Sequence, residues 1–361
     1  MKALVLKGPR QLVRMDIPRP RIQEERQVLI EVRACGICGS DLRYWAGENP
    51  WALHTLGRHV DNPPDMILGH EFSGVVVEVG SSRFEGLLGQ RVGAQAFRVC
   101  GRCALCTSGH ENLCRDTVHI GHAQGWGEMD YYPGAYAEYC LAWADLLHPM
   151  ADHVSFEEEA LRDILGVAVH AVGRAAIPAG GRVLCIGGGP AGLCIAQVAR
   201  AEGAGAVYIS DPSPLARSIV ARFSEFVSID PAAQELESAL GDVRFAAVFD
   251  SVGSPGTMGQ ALRLLAESGT YVNLAVHDTP VTLSPLALGS ERTITTSSNA
   301  YYRDEVRAHE LIASRAVDLR PMITHRFGLD GYQQAFDLLL RVPKEAYKVV
   351  FVSGSEHPYS D

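Results

Sequence analysis

The sequence predicts an α/β protein in which a doubly wound parallel sheet follows a region of irregular, barrel-like β structure. Three observations carry that prediction. From residue 182 to 275, apolar runs of strand length alternate with helical segments, the pattern of a parallel sheet covered on both faces. The turn Gly187-Gly188-Gly189-Pro190-Ala191-Gly192 joins the first of those strands to the first helix with the spacing G-x-G-x-x-G. Before residue 150, short β-rich runs are separated by proline and glycine turns, as at Gly8-Pro9 and Pro18–Pro20.

The elements follow in order. Strands are expected at 3–6, 28–33, 72–80, 90–94, 136–140 and near Leu146-Leu147. A long polar, proline-bearing loop fills the interval between Arg43 and Met66, and loops of that length in a compact domain tend to carry function. Ser155 and Glu158 form a capping box that starts a helix at Phe156. Then come a buried strand at 182–186, a helix at 191–201, a strand at 206–210, a helix at 215–223, a strand at 246–249, a helix at 259–265 and a strand at 270–275. From Asn299 the chain reads as helical and returns to β at 323–327 and 349–352.

Composition narrows the function classes. The 361 residues suffice for two ordinary domains. A net charge of −10 argues against nucleic acid as a main partner, because phosphate binding needs a basic face. No apolar run reaches the roughly 18–20 residues that span a bilayer. The first apolar run, Ala3–Leu6, is too brief for a secretory signal, so the expected compartment is the cytoplasm.

Of nine cysteines, four stand together as Cys100-x2-Cys103-x2-Cys106-x7-Cys114. Four thiolates close a tetrahedral shell around one zinc and leave no open position, which makes such a site structural. A redox Cys-x-x-Cys pair would explain only two of them. Cys35, Cys140, Cys185 and Cys194 sit in apolar contexts and read as small buried hydrophobes. Cys38 and His70 offer a thiolate and an imidazole, ligands suited to a second zinc, and each is framed by glycines with a carboxylate, Asp41 or Glu71, close by. In the glycine turn, Gly187, Gly189 and Gly192 allow a pyrophosphate to approach, and the helix opening at Pro190-Ala191 offers its N-terminus to the phosphates. Asp211, 19 residues after Gly192 at the end of the next strand, is placed to accept from both ribose hydroxyls and to repel a 2′-phosphate. That favours NAD, while Arg217 and Arg222 leave NADP open.

The run Cys38-Gly39-Ser40-Asp41, the run Gly69-His70-Glu71-Phe72-Ser73-Gly74, the four clustered cysteines and the glycine turn, in this order, resemble the zinc-containing medium-chain alcohol dehydrogenase family. Tyr44-Trp45 and the stretch 161–170 look most like its sorbitol-type and threonine-type branches. The resemblance implies a discontinuous GroES-like β-barrel catalytic domain, 1–160 with 299–361, carrying a structural zinc lobe at about 98–115, and a Rossmann NAD-binding domain at 161–298. It also implies a homo-oligomer, dimer or tetramer, with two zinc ions per chain. Cys38 and His70 would bind the catalytic zinc, and Glu71 and Asp163 would both lie near it, one of them bound. Asp41 would hydrogen-bond His70 and fix its tautomer, and Ser40 would take the proton of a substrate hydroxyl made acidic by the metal.

Two departures stand out. Arg43 occupies a position where relatives often carry a proton-relaying histidine, and an arginine cannot relay near neutrality. Its expected role is to bind an anion, the cofactor pyrophosphate or an anionic substrate. The segment Asn299–Arg303 is unlike the sorbitol branch, where an arginine is usual. His54, His59, His119 and His122 are expected in loops, where any of them could line the mouth of the cleft. The reaction implied is hydride transfer from a secondary alcohol, of polyol, sugar or cyclitol type, to NAD. A β-hydroxy amino acid or a simple alcohol is the second reading, and a catalytically silent nucleotide sensor the third.

Overall fold

The computed structural model describes residues 1–276 and 278–353. The chain forms two units, one from Met1–Asp163, Ile323–Arg341 and the chain from Lys348, the other from Ile164–Met322 and Val342–Tyr347. The expected boundary at 298/299 differs from this division, because 299–322 packs with the second unit. The helix Tyr302–Ala313 buries Ala308, Leu311 and Ile312, and its Asp304 accepts from His170 Nδ1 at 2.9 Å. Residues 354–361, assigned from sequence to the first unit, lie outside the described residues.

The first unit is organised on the strand Gln27–Gly36. Its Val28, Leu29 and Ile30 are fully buried, so both faces of the pleat are covered, as a closed β structure requires. Glu71–Val79 pairs with it antiparallel along most of its length, Tyr139–Trp143 pairs with its first half, and Lys348–Val352 pairs with its last residues. This register sets Gly36 opposite both Glu71 and Val350, so the end of one strand, the start of a second and the middle of a third, remote in sequence, meet at one place. Arg91–Ala94, Leu147–Pro149 and Ile323–Phe327 complete the sheet. A smaller antiparallel sheet centres on Lys2–Leu6. The interval read as one long loop contains the helix Gly39–Ala46 and a short π-helical turn, Ala52–Leu56. The capping box at Ser155 and Glu158 forms as expected, with Glu158 N–H donating to Ser155 Oγ at 3.2 Å and Ser155 N–H to Glu158 Oε2 at 3.1 Å.

The second unit holds six parallel strands in the spatial order Phe226–Ile229, Val207–Ser210, Val183–Ile186, Phe245–Asp250, Leu265–Asn273, Thr293–Thr296. In sequence order this is 3-2-1-4-5-6, the doubly wound arrangement whose switch point lies beside the first strand. The sequence reveals the four inner strands and misses the two outer ones. The reason is burial: Val183–Ile186 is buried throughout, whereas Phe226–Ile229 buries only Phe226 and Thr293–Thr296 buries nothing fully, so neither edge carries an apolar run. Among the described residues, no helix is long and apolar enough to cross a membrane.

Candidate functional site

Cys38 stands just past the end of the central strand, at the N-cap of the helix Gly39–Ala46. Its backbone N–H donates to Asp41 Oδ2 at 2.9 Å, so the helix start fixes the turn that presents the thiol. Asp41 is fully buried and heavily engaged. Tyr136 Oη donates to its Oδ2 at 2.7 Å, Gly69 N–H to its Oδ1 at 3.4 Å, and His70 Nδ1 stands 3.5 Å from Oδ1. Burial pushes the Asp41 carboxyl up, but the His70 ring and these donors outweigh it and hold it below the usual carboxylate range. With Nδ1 of His70 facing Asp41, Nε2 is the nitrogen left for a ligand.

Glu71, the next residue, opens the strand Glu71–Val79 and is sealed from solvent. Its partner is a residue that sequence reasoning missed. Lys348, at the start of Lys348–Val352, is 3% exposed and donates from Nζ to Glu71 Oε1 at 2.8 Å and to the Ile37 carbonyl at 3.0 Å. Oε2 lies 2.6 Å from the same ammonium, so both carboxylate oxygens face the buried cation. A lysine heading the apolar run Lys348-Val349-Val350-Phe351 was the available signal, since a cation there must be buried with a partner. Gly36 makes room for the pair. A Cβ there would stand 2.2 Å from Glu71 Oε2 and 3.2 Å from Lys348 Cε.

Cys38 Sγ, a ring nitrogen of His70 and a carboxylate oxygen of Glu71 lie within 4.8 Å of one another. One thiolate, one imidazole and one carboxylate, gathered in this way, fit a tetrahedral zinc that keeps an open position. Asp163 is not part of this trio. It is nevertheless close enough to feel it: burial raises its carboxyl, His70 opposes the rise and Glu71 adds to it. Ser40, in the first turn of the same helix, makes no hydrogen bond among the described residues. Arg43, expected to seek an anion, already has one in its own loop, with Nε 2.7 Å from Glu48 Oε2.

The four-cysteine lobe is built differently. Cys103 precedes the short helix Ala104–Thr107 and Cys114 follows a 3-10 turn. The Sγ separations are 3.9 Å for Cys100–Cys106, 3.5 Å for Cys103–Cys106 and 4.0 Å for Cys103–Cys114, and all four thiols are free of disulfides. A zinc–sulfur bond of about 2.3 Å puts tetrahedral sulfurs about 3.8 Å apart, so this cluster fits a closed zinc site. Backbone amides at 102 and 103 lower Cys100 to about 7, while burial and Cys103 push Cys106 up to about 12.

In the second unit the glycine turn has the shape its spacing predicts. Gly187 has φ of 97°, and a Cβ at Gly192 would lie 1.9 Å from the Gly187 carbonyl oxygen. A Cβ at Gly189 would meet nothing within 4 Å, which leaves open space in front of the helix Pro190–Ala201 for a phosphate. Pro190 opens that helix at a position where a missing N–H costs nothing. Asp211 follows the strand Val207–Ser210 and braces the turn. Gly188 N–H donates to its Oδ2 and Ser213 N–H to its Oδ1, each at 2.7 Å. Tyr347 Oη donates to the Gly188 carbonyl at 2.7 Å, a second contact that the sequence did not reveal. Arg217, which left NADP open, is held by Asp230 at 2.7 Å and by the carbonyls of Asp211 and Pro212.

Comparison with known proteins agrees with these two units. Residues 24–152 match the alcohol dehydrogenase GroES-like domain, and 190–314 match the zinc-binding dehydrogenase family. L-galactonate-5-dehydrogenase of Escherichia coli (strain K12) is 30% identical over 91% of this chain and 92% of that protein. The chain belongs to the zinc-containing medium-chain alcohol dehydrogenase family. Other members similar to it include the sorbitol dehydrogenase of Bacillus subtilis (strain 168), 29% identical over 97% of this chain and 96% of that protein. L-threonine 3-dehydrogenase of the same organism is 29% identical over 94% and 95%. Among solved structures, a Sinorhizobium meliloti 1021 protein described as a zinc-binding dehydrogenase and bound to NADP superposes with a TM-score of 0.85. It is 28% identical, with 98% of this chain and 99% of that one covered. This family member is therefore an oxidoreductase fold with two clusters fitted to zinc.

Proposed function

We propose that this dehydrogenase oxidises a secondary alcohol of the polyol, sugar or cyclitol class, with NAD as hydride acceptor and two zinc ions per chain. The observation that carries the reading is the trio Cys38, His70 and Glu71, with the Ser40 hydroxyl, which has no partner among the described residues, in the first turn of the helix that Cys38 caps. The sorbitol and galactonate dehydrogenases among its relatives support the substrate class.

Zinc bound by that trio supplies a Lewis-acid charge that brings the pKa of a substrate hydroxyl toward neutrality. The chain's own residues do the rest. Asp41 holds His70 by Nδ1 and so keeps Nε2 turned to the ligand position. Lys348 neutralises Glu71 and holds it within reach of Cys38 and His70. Ser40 Oγ would accept the proton of the reacting hydroxyl as it gives up its own to solvent water, which takes the one proton that the oxidation releases. Arg43, engaged by Glu48, takes no part in that relay. NAD supplies the hydride acceptor, and the amides of the glycine turn with the helix at Pro190 hold its pyrophosphate. Asp211 has acceptor capacity left on both oxygens for the ribose hydroxyls, and the engagement of Arg217 removes a partner for a 2′-phosphate.

The similarity to L-threonine 3-dehydrogenase favours a second reading, a β-hydroxy amino acid substrate. Initial rates of NADH formation with polyols, threonine and simple secondary alcohols separate the two. The first reading requires the highest kcat/KM on a polyol or sugar acid, and turnover confined to threonine overturns it. Equal use of NADP and NAD overturns the cofactor assignment.

A further inference from the structure

A row of stacked rings leads to the trio. Tyr44 stacks on His122 with centroids 5.1 Å apart, His122 on His119 at 4.2 Å, and His119 meets His70 edge-on at 5.9 Å. The loop carrying the two histidines is fixed on several sides. His119 lies in Val118–His119, which pairs with Phe97–Arg98. Ile120 N–H donates to Ala96 O at 2.7 Å, Gly121 N–H to Pro133 O at 2.8 Å, and Trp126 Nε1 to His119 O at 2.7 Å. Gly121, with φ of 91°, is pressed against His70 so closely that a Cβ would lie 3.1 Å from the His70 Cβ and 2.9 Å from the Gly69 carbonyl oxygen.

The hydrogen bonds of this loop give the two rings opposite polarity. His119 Nδ1 is 2.6 Å from the Ile120 carbonyl, which can only accept, so Nδ1 carries the proton and Nε2 is a bare acceptor. His122 Nδ1 accepts from Gln124 N–H at 3.4 Å, so its proton is on Nε2 and that atom is a donor. Neither Nε2 has a partner among the described residues, and neither is sealed from solvent.

We infer that His119 and His122 form a fixed acceptor–donor pair that recognises a substrate hydroxyl other than the one oxidised. An acceptor and a donor on stacked rings match the hydroxyls of a vicinal diol, or one hydroxyl that gives to His119 and takes from His122. An alcohol without that hydroxyl displaces water from both nitrogens and leaves them unpaired, which is the condition under which polar sites discriminate strongly. The two histidines are specificity-determining residues rather than catalytic ones. The inference rests on the proposed alcohol oxidation and adds the part of the substrate that is read.

The test compares xylitol with 2-butanol on the zinc-loaded full-length chain. In His119→Phe and His122→Phe, the ratio of kcat/KM for xylitol to that for 2-butanol should fall roughly tenfold or more. His119→Gln, which keeps an acceptor, should recover part of that ratio. Because the ratio is read within one preparation, a reduced folded fraction cancels. A ratio that stays put in both phenylalanine variants overturns the inference, and so does a wild type that oxidises 2-butanol but not xylitol. If the wild type oxidises no alcohol at all, the dehydrogenase reading itself fails. Calorimetric titration with xylitol then decides the pair: binding that His119→Phe weakens tenfold upholds it, and binding that is absent or unaltered overturns it.

Discussion

The two metal clusters use sulfur in opposite ways. In the lobe, all four cysteines come from one short stretch, Cys100, Cys103 and Cys106 are partly open to solvent while Cys114 is buried, and backbone amides donate to Cys100 and Cys114. In the trio, Cys38 stands at the start of a helix while His70 and Glu71 stand together at the start of a strand, and the supports come from far away: Tyr136 through Asp41, and Lys348 through Glu71. A closed site needs only its own loop, because zinc supplies the folding energy once four thiolates are present. A site that must keep one position open cannot rely on the metal for its shape, so the protein holds the ligands in place by packing and buried hydrogen bonds.

The comparison breaks most visibly at Cys38. Cys38→Ala should lower turnover by about a thousandfold or more, since it removes a metal ligand at the reacting centre. The thermal midpoint should move little, and elemental analysis should still find one zinc per chain. Cys103→Ala should do the reverse, costing several kcal/mol of local stability and exposing 98–115 to proteolysis, with turnover of the surviving enzyme largely kept. If both variants lose activity and stability alike, the two clusters do not have separate roles.

Lys348→Met tests the buried support. It leaves Glu71 charged, sealed and unpaired, and breaking a buried pair of this kind costs about 3–5 kcal/mol, readable as a lowered denaturant midpoint. Zinc loading should partly restore the midpoint, because the ion supplies the missing positive charge. Asp211→Gly removes the brace on Gly188 and the acceptor for ribose, so KM for NAD should rise about tenfold and the preference over NADP should shrink. An unaltered cofactor ratio would remove Asp211 from the recognition.

Acid should act on the histidine pair. His119, held at about 3 when folded, and His122 bind fewer protons folded than unfolded below the ordinary histidine pKa of 6.5. Their neutral burial is therefore without cost above pH 6.5, and stability is lost as the pH falls below it. The slope is on the order of 1 kcal/mol per pH unit for each ring. Urea unfolding of zinc-loaded protein between pH 7 and 5 measures it, and His119→Phe should flatten the profile by about one ring's share.

Much of this was legible in the sequence wherever function is written into contiguous residues. The cysteine lobe, the turn at Gly187–Gly192, the capping box at Ser155 and the run Gly69-His70-Glu71 each announce themselves by spacing. What the sequence concealed depends on register between distant segments. Lys348 meets Glu71 across 277 positions because the two strands that flank Gln27–Gly36 both pair with Gly36, and no local pattern encodes that meeting. Tyr347 reaches Gly188 in the same way. The polarity of His119 and His122 was hidden for another reason: a tautomer is set by the carbonyl and the amide around a ring, and neither has a sequence signature.

Gly36 shows where this chain is least tolerant of drift. It is not at a positive φ, so nothing in its backbone demands glycine, and by composition an alanine there would pass as a conservative change. Yet one added methyl group would occupy the space of a Glu71 oxygen and crowd Lys348 from the other side. A lineage could keep Cys38, His70 and Glu71 intact and still lose the centre through this one position. Surveys that score such proteins by their ligands alone would count that descendant as active.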